Sequence, residues 1–90
     1  MEKDIDIIKA IGDWTRYRII KLIYSSGNML CVNAIAKKLK VSQPTVSQHL
    51  KILKNSRIVQ SKKMGNRIHY SVNSDTIISI SKNIKDLVST

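Results

Sequence analysis

Residues 42–51 carry short polar and basic side chains at the spacing of one helix face. Ser42 is of a type that caps helices, and Pro44 follows in what would be the first turn. The outer positions of this helix, which include no acid, are Pro44, Ser47, Gln48 and Lys51. Small hydroxyl and amide side chains let a helix enter a DNA major groove about 12 Å wide and still exchange hydrogen bonds with base edges.

The opposite face of the same segment is apolar. Positions i, i+3, i+4 and i+7 hold Val46, His49, Leu50 and Leu53. This spacing predicts a buried face on a helix over about residues 43–55. His49 lies between aliphatic neighbours, so we expect it to be a hydrogen-bonded packing residue.

A shorter helix is predicted just before this one. Its apolar face holds Ile35, Ala36 and Leu39, and its other face holds Lys37, Lys38 and Lys40. Only Val41 and Ser42 then precede the next helix, and a link this short is typical of a helix-turn-helix, here over about residues 32–55. The apolar run at 29–32 could be extended or could enter the first of the two helices.

A basic β-hairpin is predicted over about residues 58–72. The apolar residues that set its period of two are Ile58, Val59, Ile68, Tyr70 and Val72. Gly65-Asn66 fits a two-residue turn, and the bases beside it are Lys62, Lys63 and Arg67. His69 alternates outward, so we expect it to meet solvent or phosphate. Helices followed by a two-stranded hairpin predict a mainly α (α+β) winged helix-turn-helix.

The basic residues are concentrated in the same part of the chain. The 90 residues contain 16 Lys and Arg against 6 Asp and Glu, for a formal net charge of +10. No acid occurs between Asp13 and Asp75, and that segment holds 12 of the bases. Scattered charge would serve solubility equally well, so we expect a polyanionic partner, nucleic acid ahead of a phospholipid surface.

The length and composition predict one small domain over residues 1–90 with an aliphatic core. Aromatic residues make up 4% of the chain, and there is no Phe. The two ends, over about residues 3–11 and 75–88, are too apolar for unpaired surface helices. Their apolar residues include Ile5, Ile8, Ile11, Ile77, Ile80, Ile84 and Leu87. We expect both ends to contact a second copy of the chain.

Three segments resemble the ArsR/SmtB family of small dimeric winged-helix transcriptional repressors. Residues 10–19 (AIGDWTRYRI) are similar to the start of the family's second helix, with Trp14 where the family usually has proline. Residues 41–53 (VSQPTVSQHLKIL) match its recognition helix nearly position for position, and residues 58–70 resemble its wing. The likeness covers about residues 5–73 closely and the last helix by pattern only.

This resemblance implies a homodimer that binds duplex DNA. It implies that base edges are met by Gln43, Pro44, Ser47 and Gln48, and that nearer the phosphates lie Ser42, Thr45 and Lys51. From the wing, the backbone or minor groove would be reached by Lys62, Lys63 and Arg67. Dimerisation through the first and last helices implies a pseudo-palindromic site, read in successive major grooves roughly 34 Å apart.

Many members of that family sense metals, but these residues fit neither usual site. The thiolate site resembles E-L-C-V-C-D-L, whereas residues 29–35 read MLCVNAI, with Cys31 kept and Asn33 in place of the second cysteine. Thiolate sites for soft metals need at least two sulfurs. The last helix has Asp75 and Asp86 but no histidine. We therefore predict no metal and no cofactor, and expect Cys31 to be a small buried hydrophobe.

Other functional classes have less support. We expect no enzymatic activity, because the chain has no Ser/His/Asp set, no Gly-rich phosphate loop and no acid across its central segment. A membrane-surface protein would gather its bases and apolar residues on one amphipathic helix. Two alternatives stay open: an RNA-binding winged module, and a redox-responsive repressor with an exposed, lowered-pKa thiol at Cys31.

The sequence also predicts where the protein resides. Its start, which includes Glu2, Lys3 and Asp4, has no signal-peptide pattern, and no run approaches about 18 apolar residues. One cysteine cannot form an intrachain disulfide. We expect a cytoplasmic protein with no membrane partner and no identifiable small-molecule ligand.

Overall fold

Five helices and three strands make up the computed structural model, which describes residues 2–89, with side chains from Lys3 onward. The helices are α1 (Glu2–Ile11), α2 (Trp14–Ser25), α3 (Val32–Leu39), α4 (Gln43–Asn55) and α5 (Ser74–Asp86). The strands are β1 (Leu30–Cys31), β2 (Val59–Met64) and β3 (Arg67–Val72). Helices α3 and α4 form the predicted helix-turn-helix, and β2 and β3 form the predicted wing.

The helix ends follow local capping chemistry. Asp13 caps α2 by accepting a 3.0 Å hydrogen bond from the Arg16 backbone N–H, and Ser42 caps α4. The C-cap of α3 is Lys40, which has a left-handed φ of 56°. Its backbone N–H donates a hydrogen bond to the Ala36 carbonyl. This reversal lets α4 begin three residues later. The bounds of α4 coincide with the range that its spacing predicts.

The predicted two-stranded wing is confirmed, and a third strand joins it. The sheet order is β1-β3-β2 with both pairs antiparallel, and Leu30 pairs with Tyr70 and Cys31 with His69. The sequence left open whether the run at 29–32 is extended or enters the next helix. Both occur, because Leu30–Cys31 is a strand and Val32 begins α3. Strand β3 becomes the central strand, with neighbours on both sides.

The core is aliphatic, as the scarcity of aromatic residues predicts. The fully buried large side chains are Ile19, Ile23, Ile35, Val46, Leu50, Leu53 and Ile58. They come from α2, α3, α4 and the start of the wing, so the helix-turn-helix and the hairpin share one packed interior. Burial of these side chains packs α4 and the hairpin into the same body, with the outer face of α4 turned away from it.

A side-chain clamp ties the loop before β1 to the end of β3. Asn28 accepts a 2.7 Å hydrogen bond from the Val72 backbone N–H and donates one of 3.3 Å to the Val72 carbonyl. With a backbone φ of 58°, Asn28 turns its side chain toward β3, where it makes the two hydrogen bonds that a residue of a neighbouring strand would make. Among the helices of residues 2–89, none is long and apolar enough to span a membrane.

Candidate nucleic-acid interface

The polar face of α4 points away from the core along its whole length. Val46, Leu50 and Leu53 are buried, and they anchor the helix. The predicted contact residues are all exposed: Ser42, Gln43, Pro44, Thr45, Ser47, Gln48 and Lys51. The amphipathic reading of this helix therefore agrees with the structure position by position. Its outer surface presents hydroxyl, amide and ammonium groups and no carboxylate.

The N-terminus of α4 is capped by two hydroxyl groups acting together. The Thr45 backbone N–H donates to Ser42 Oγ at 3.3 Å, and the Ser42 hydroxyl donates to Thr45 Oγ1 at 2.8 Å. Ser42 thus uses both its proton and a lone pair within the cap. The Thr45 hydroxyl keeps its own proton for an outside acceptor such as a phosphate oxygen.

The wing is a tight hairpin whose register sorts its bases onto two faces. Gly65 has a φ of 65°, whereas Asn66 is not in the left-handed region, which is the pattern of a type II′ turn. Lys62 pairs with His69, and Arg67 lies two residues before His69, so Lys62 and Arg67 share one face. Lys63 pairs with Ile68 on the other face. The three bases therefore surround the exposed tip.

His69 is less exposed than its alternation along the strand predicts. It lies between Cys31 of β1 and Lys62 of β2, because β3 is the central strand. Its side chain is half-buried, and its Nδ1 is shielded from solvent with no hydrogen-bond partner among the described residues. His69 therefore meets solvent only in part, since the strands on both sides of β3 shield it.

Cys31 lies at the N-cap of α3 and is half-buried rather than buried. The Ala34 backbone N–H at the start of α3 lowers the pKa of the Cys31 thiol, and the nearby positive guanidinium of Arg67 lowers it further. The expectation of a fully buried hydrophobe is thus wrong. The side chain of Arg67 reaches from the wing to this thiol.

The metal sites of related sensors are not reproduced by these residues. Within residues 2–89, no three His, Cys, Asp or Glu side chains come together in a group that could hold a metal ion. Cys31 supplies one sulfur where soft metals need two or more, and Asn33 stands at the second position. The donor set therefore does not fit a thiolate-bound metal.

His49 is held by a hydrogen bond, as its position between aliphatic residues predicts. Nη1 of Arg16 lies 3.2 Å from Nδ1 of His49, and Nε of Arg16 donates to the Ala10 carbonyl at 2.7 Å. Asp13 Oδ2 lies 3.9 Å from the same His49 nitrogen. The hydrogen bond from the Arg16 backbone lowers the pKa of the Asp13 carboxyl, and the nearby charge of Arg16 lowers it further.

Replacing Asp13 tests the contribution of this charge to stability. Because its folded-state pKa lies below the ordinary value of about 3.9, ionised Asp13 adds stability above that pH, and the gain is lost as pH falls through the lowered pKa. Asparagine keeps the cap but not the charge. We expect Asp13→Asn to be less stable than wild type by about 0.5 kcal/mol at pH 7, with the difference vanishing once the pH has fallen below the lowered pKa of Asp13.

Urea unfolding at fixed protein concentration measures this difference. Asp13→Ala removes the cap as well as the charge, so we expect it to be less stable than Asp13→Asn by about 1 kcal/mol at both pH values. A constant gap between wild type and Asp13→Asn across the pH range would contradict a role for the charge.

The predicted dimer-contact residues differ in how much surface they offer. Exposed residues of that set are Ile5, Ile8, Ile84 and Leu87. Ile11 and Ile77 are partly buried against the core, and Ile80 is only 4% exposed. Ile80 is thus covered by its own chain, because α5 packs one side against the body. Ile78, at 65% exposed, was absent from the prediction although it lies on the outer side of α5.

Three of the four aromatic residues also lie at the surface. Trp14 is 70% exposed and stacks on Tyr17, with ring centroids 5.8 Å apart and planes 11° apart. Tyr24 is exposed further along α2. Their spacing of three and seven residues places all three on one side of that helix.

The fold and the exposed face of α4 agree with a match of residues 13–61 to the bacterial regulatory proteins of the arsR family. That segment is more than half of the chain and includes the helix-turn-helix. The chain belongs to the ArsR family. Family members are transcriptional regulators, so this ArsR-family chain is a DNA-binding regulator and not an enzyme.

Individual relatives support the assignment over nearly the whole chain. An uncharacterised HTH-type transcriptional regulator of Methanocaldococcus jannaschii is 43% identical over 86 residues, covering 96% of each chain. The transcriptional repressor SdpR of Bacillus subtilis is 35% identical over 72 residues, covering 80% of this chain and 78% of SdpR.

A solved structure carries the same arrangement of elements. The transcriptional repressor PagR of Bacillus anthracis superposes with a TM-score of 0.77 at 30% identity, covering 92% of this chain and 93% of PagR. An ArsR-like regulator from Rhodococcus sp. RHA1 superposes with a TM-score of 0.85 at 21% identity, covering 96% of this chain and 79% of that one, which shows the shared fold.

Proposed function

We propose that this ArsR-family chain is a repressor that binds a pseudo-palindromic duplex operator as a homodimer in the cytoplasm. The observation that carries the proposal is the outer face of α4, which is exposed and free of acids, on a helix whose inner face packs into the core through three buried aliphatic residues. SdpR and PagR are both named as transcriptional repressors, which supports repression as the outcome of binding.

In this proposal, α4 is the recognition helix of a single domain over residues 1–90. Gln43, Ser47 and Gln48 read base edges, because an amide or hydroxyl both donates and accepts there. Pro44 lies beside them and lets the helix start approach the bases. Ser42 and Thr45 hold the capped N-terminus near a phosphate, and Lys51 neutralises a phosphate further along the helix.

The wing supplies affinity without sequence choice. Lys62, Lys63 and Arg67 surround the exposed hairpin tip, where long flexible side chains can follow the backbone or enter the minor groove. Each contact to a phosphate releases bound counterions, so the wing makes binding depend on salt. In this proposal, α4 therefore supplies the choice of base sequence, and the wing supplies the electrostatic attraction to the DNA backbone.

The dimer in this proposal uses the end helices α1 and α5. Ile5, Ile8, Ile84 and Leu87 leave apolar surface exposed on both. A contact between two copies across these helices buries that surface and presents two α4 helices to successive major grooves. We place Ile11, Ile77 and Ile80 behind this contact, where they support the helices that form it.

Fluorescence anisotropy with duplexes selected from a randomised pool tests the proposal. We expect wild type to select one pseudo-palindromic family of sites and to bind it more tightly than unrelated duplex or single-stranded RNA. Gln48→Ala should lose about tenfold of the preference for that site over a single-base mutant, because one bidentate base contact is removed. Gln60→Ala, at an exposed glutamine of β2, should keep it.

Lys63→Ala should instead weaken all duplexes alike and lower the slope of log affinity against log salt by about one. Lys82→Ala, at an exposed base of α5, serves as the control and should leave the slope unchanged. Equal affinity of wild type for every duplex, or tighter binding of RNA, would contradict the proposed function. A change of sequence preference in Lys63→Ala would reverse the roles assigned to helix and wing.

A further inference from the structure

The side chain of Arg16 connects three helices: α2, on which it lies, and α1 and α4, which it contacts. From the first turns of α2, its Nε donates at 2.7 Å to the carbonyl of Ala10, in the last turn of α1. Its Nη1 lies 3.2 Å from Nδ1 of His49, in the middle of α4. The planar guanidinium holds these two donors in a fixed fork, so one side chain sets the distance between the end of α1 and the middle of α4.

The direction of these hydrogen bonds is settled by chemistry. Arginine has five donors and no acceptor, so Nδ1 of His49 accepts. The carbonyl of Ala10 is one of the last four of α1, which have no partner within the helix. Arg16 therefore donates hydrogen bonds to a helix-end carbonyl and to a ring nitrogen, both of which would otherwise need a water molecule as donor. The Asp13 side chain, which caps α2, holds the backbone of Arg16 by accepting a 3.0 Å hydrogen bond from its N–H.

Helix α4 needs such a contact because its other anchors are not directional. Val46, Leu50 and Leu53 bury aliphatic surface, and burial alone tolerates a small rotation of the helix about its axis. A hydrogen bond weakens steeply when its length or angle changes. The contact to His49 therefore fixes the rotation of α4 next to Gln48, the adjacent residue on the exposed side.

We propose that Arg16 is a positioning residue for DNA recognition, which acts through His49 and does not touch DNA. The proposal rests on the proposed function, since it takes α4 as the helix that reads bases. It also assigns Arg16 a different task from the other bases of the acid-free segment, whose charges attract phosphate. Through Ala10, the same side chain links α4 to α1, one of the two helices of the proposed dimer contact.

Arg16→Lys tests the role of the fork at constant charge. Lysine keeps the positive charge but cannot offer two donors in a fixed plane. We expect about tenfold weaker binding of the duplex that wild type selects, with unchanged affinity for unrelated duplex and an unchanged salt slope. Arg57→Lys, at an exposed arginine after α4, is the charge-matched control and should bind the selected duplex as wild type does.

His49 variants supply a second route that does not alter any charge on α2. His49→Leu leaves the Arg16 donor unpaired, and we expect about the same tenfold loss. Asparagine carries an acceptor close to the position of Nδ1, so His49→Asn should restore affinity to within about threefold of wild type. The double variant Arg16→Lys with His49→Leu should lose no more than either single variant, because both remove the same contact.

The outcomes separate the two proposals. A wild-type chain that selects no duplex overturns the proposed function, and the positioning role with it. If wild type selects a site and Arg16→Lys binds it equally well, only the positioning role fails. An equal loss of affinity for the selected and the unrelated duplex in Arg16→Lys would instead make Arg16 a contact to the DNA backbone and overturn the positioning role. Should Arg16→Lys fail to fold by circular dichroism, equal affinities of His49→Leu and His49→Asn would overturn the positioning role.

Discussion

Ile84→Glu is expected to convert the proposed dimer into a monomer and to lower operator affinity by about a hundredfold or more. Ile84 is 47% exposed on the apolar side of α5, so a glutamate there would be buried without a partner in the contact between two copies. A dimer that binds two half-sites gains affinity because the second contact is intramolecular. A monomer keeps the contacts of one half-site and loses that gain.

Light scattering and anisotropy measure the two halves of this prediction. Ser79→Glu places the same charge at an exposed position of α5, five residues away on another side of the helix, and should leave both the mass and the affinity unchanged. Affinity for a duplex with a single half-site should be equal in Ile84→Glu and wild type. A monomeric Ile84→Glu chain with full operator affinity would contradict the link between dimerisation and binding.

Leu53→Ala is expected to cost about 2–5 kcal/mol of unfolding free energy, which is a large part of the stability of a small domain. Leu53 is fully buried beneath the last turn of α4, in the cluster that joins the helix-turn-helix to the wing. Removing one methine and two methyl carbons there loses their burial and leaves a cavity that a well-packed interior fills only partly.

Its neighbour on the same helix is the control for this prediction. Ile52 is 42% exposed, so Ile52→Ala removes a similar volume with little loss of burial and should cost less than about 1 kcal/mol. Urea unfolding at one protein concentration compares the two variants. Similar midpoints for Leu53→Ala and Ile52→Ala would show that the base of α4 is not part of the cooperative core.

The recognition helix could be predicted in detail because its signals are local. The cap at Ser42, the proline two residues later and the apolar spacing from Val46 to Leu53 all act within a few turns of one helix. The left-handed glycine of the hairpin turn acts over two residues. Such preferences hold whatever the rest of the chain does, so the structure reproduces them at their predicted bounds.

Contacts between distant residues could not be predicted in the same way. The strand Leu30–Cys31 is two residues long and is stable only because β3 lies beside it. That pairing partly buries His69 and brings Arg67 to the Cys31 thiol, which the alternation of one strand cannot reveal. Burial of Ile80 likewise depends on how α5 packs against the body, since its helical spacing alone does not distinguish it from Ile84.

The sequence by itself determined the class of partner and predicted the surface that meets it. A charge of +10 with no acid between Asp13 and Asp75, together with an acid-free helix face, is a property of composition and period. Only the tertiary structure decided that Arg16 is turned toward Ala10 and His49. The two ends of the His49 contact are 33 residues apart, and their meeting depends on the angle at which α2 and α4 pack. Charge is additive along the chain, whereas a directional contact exists only once both partners are in place.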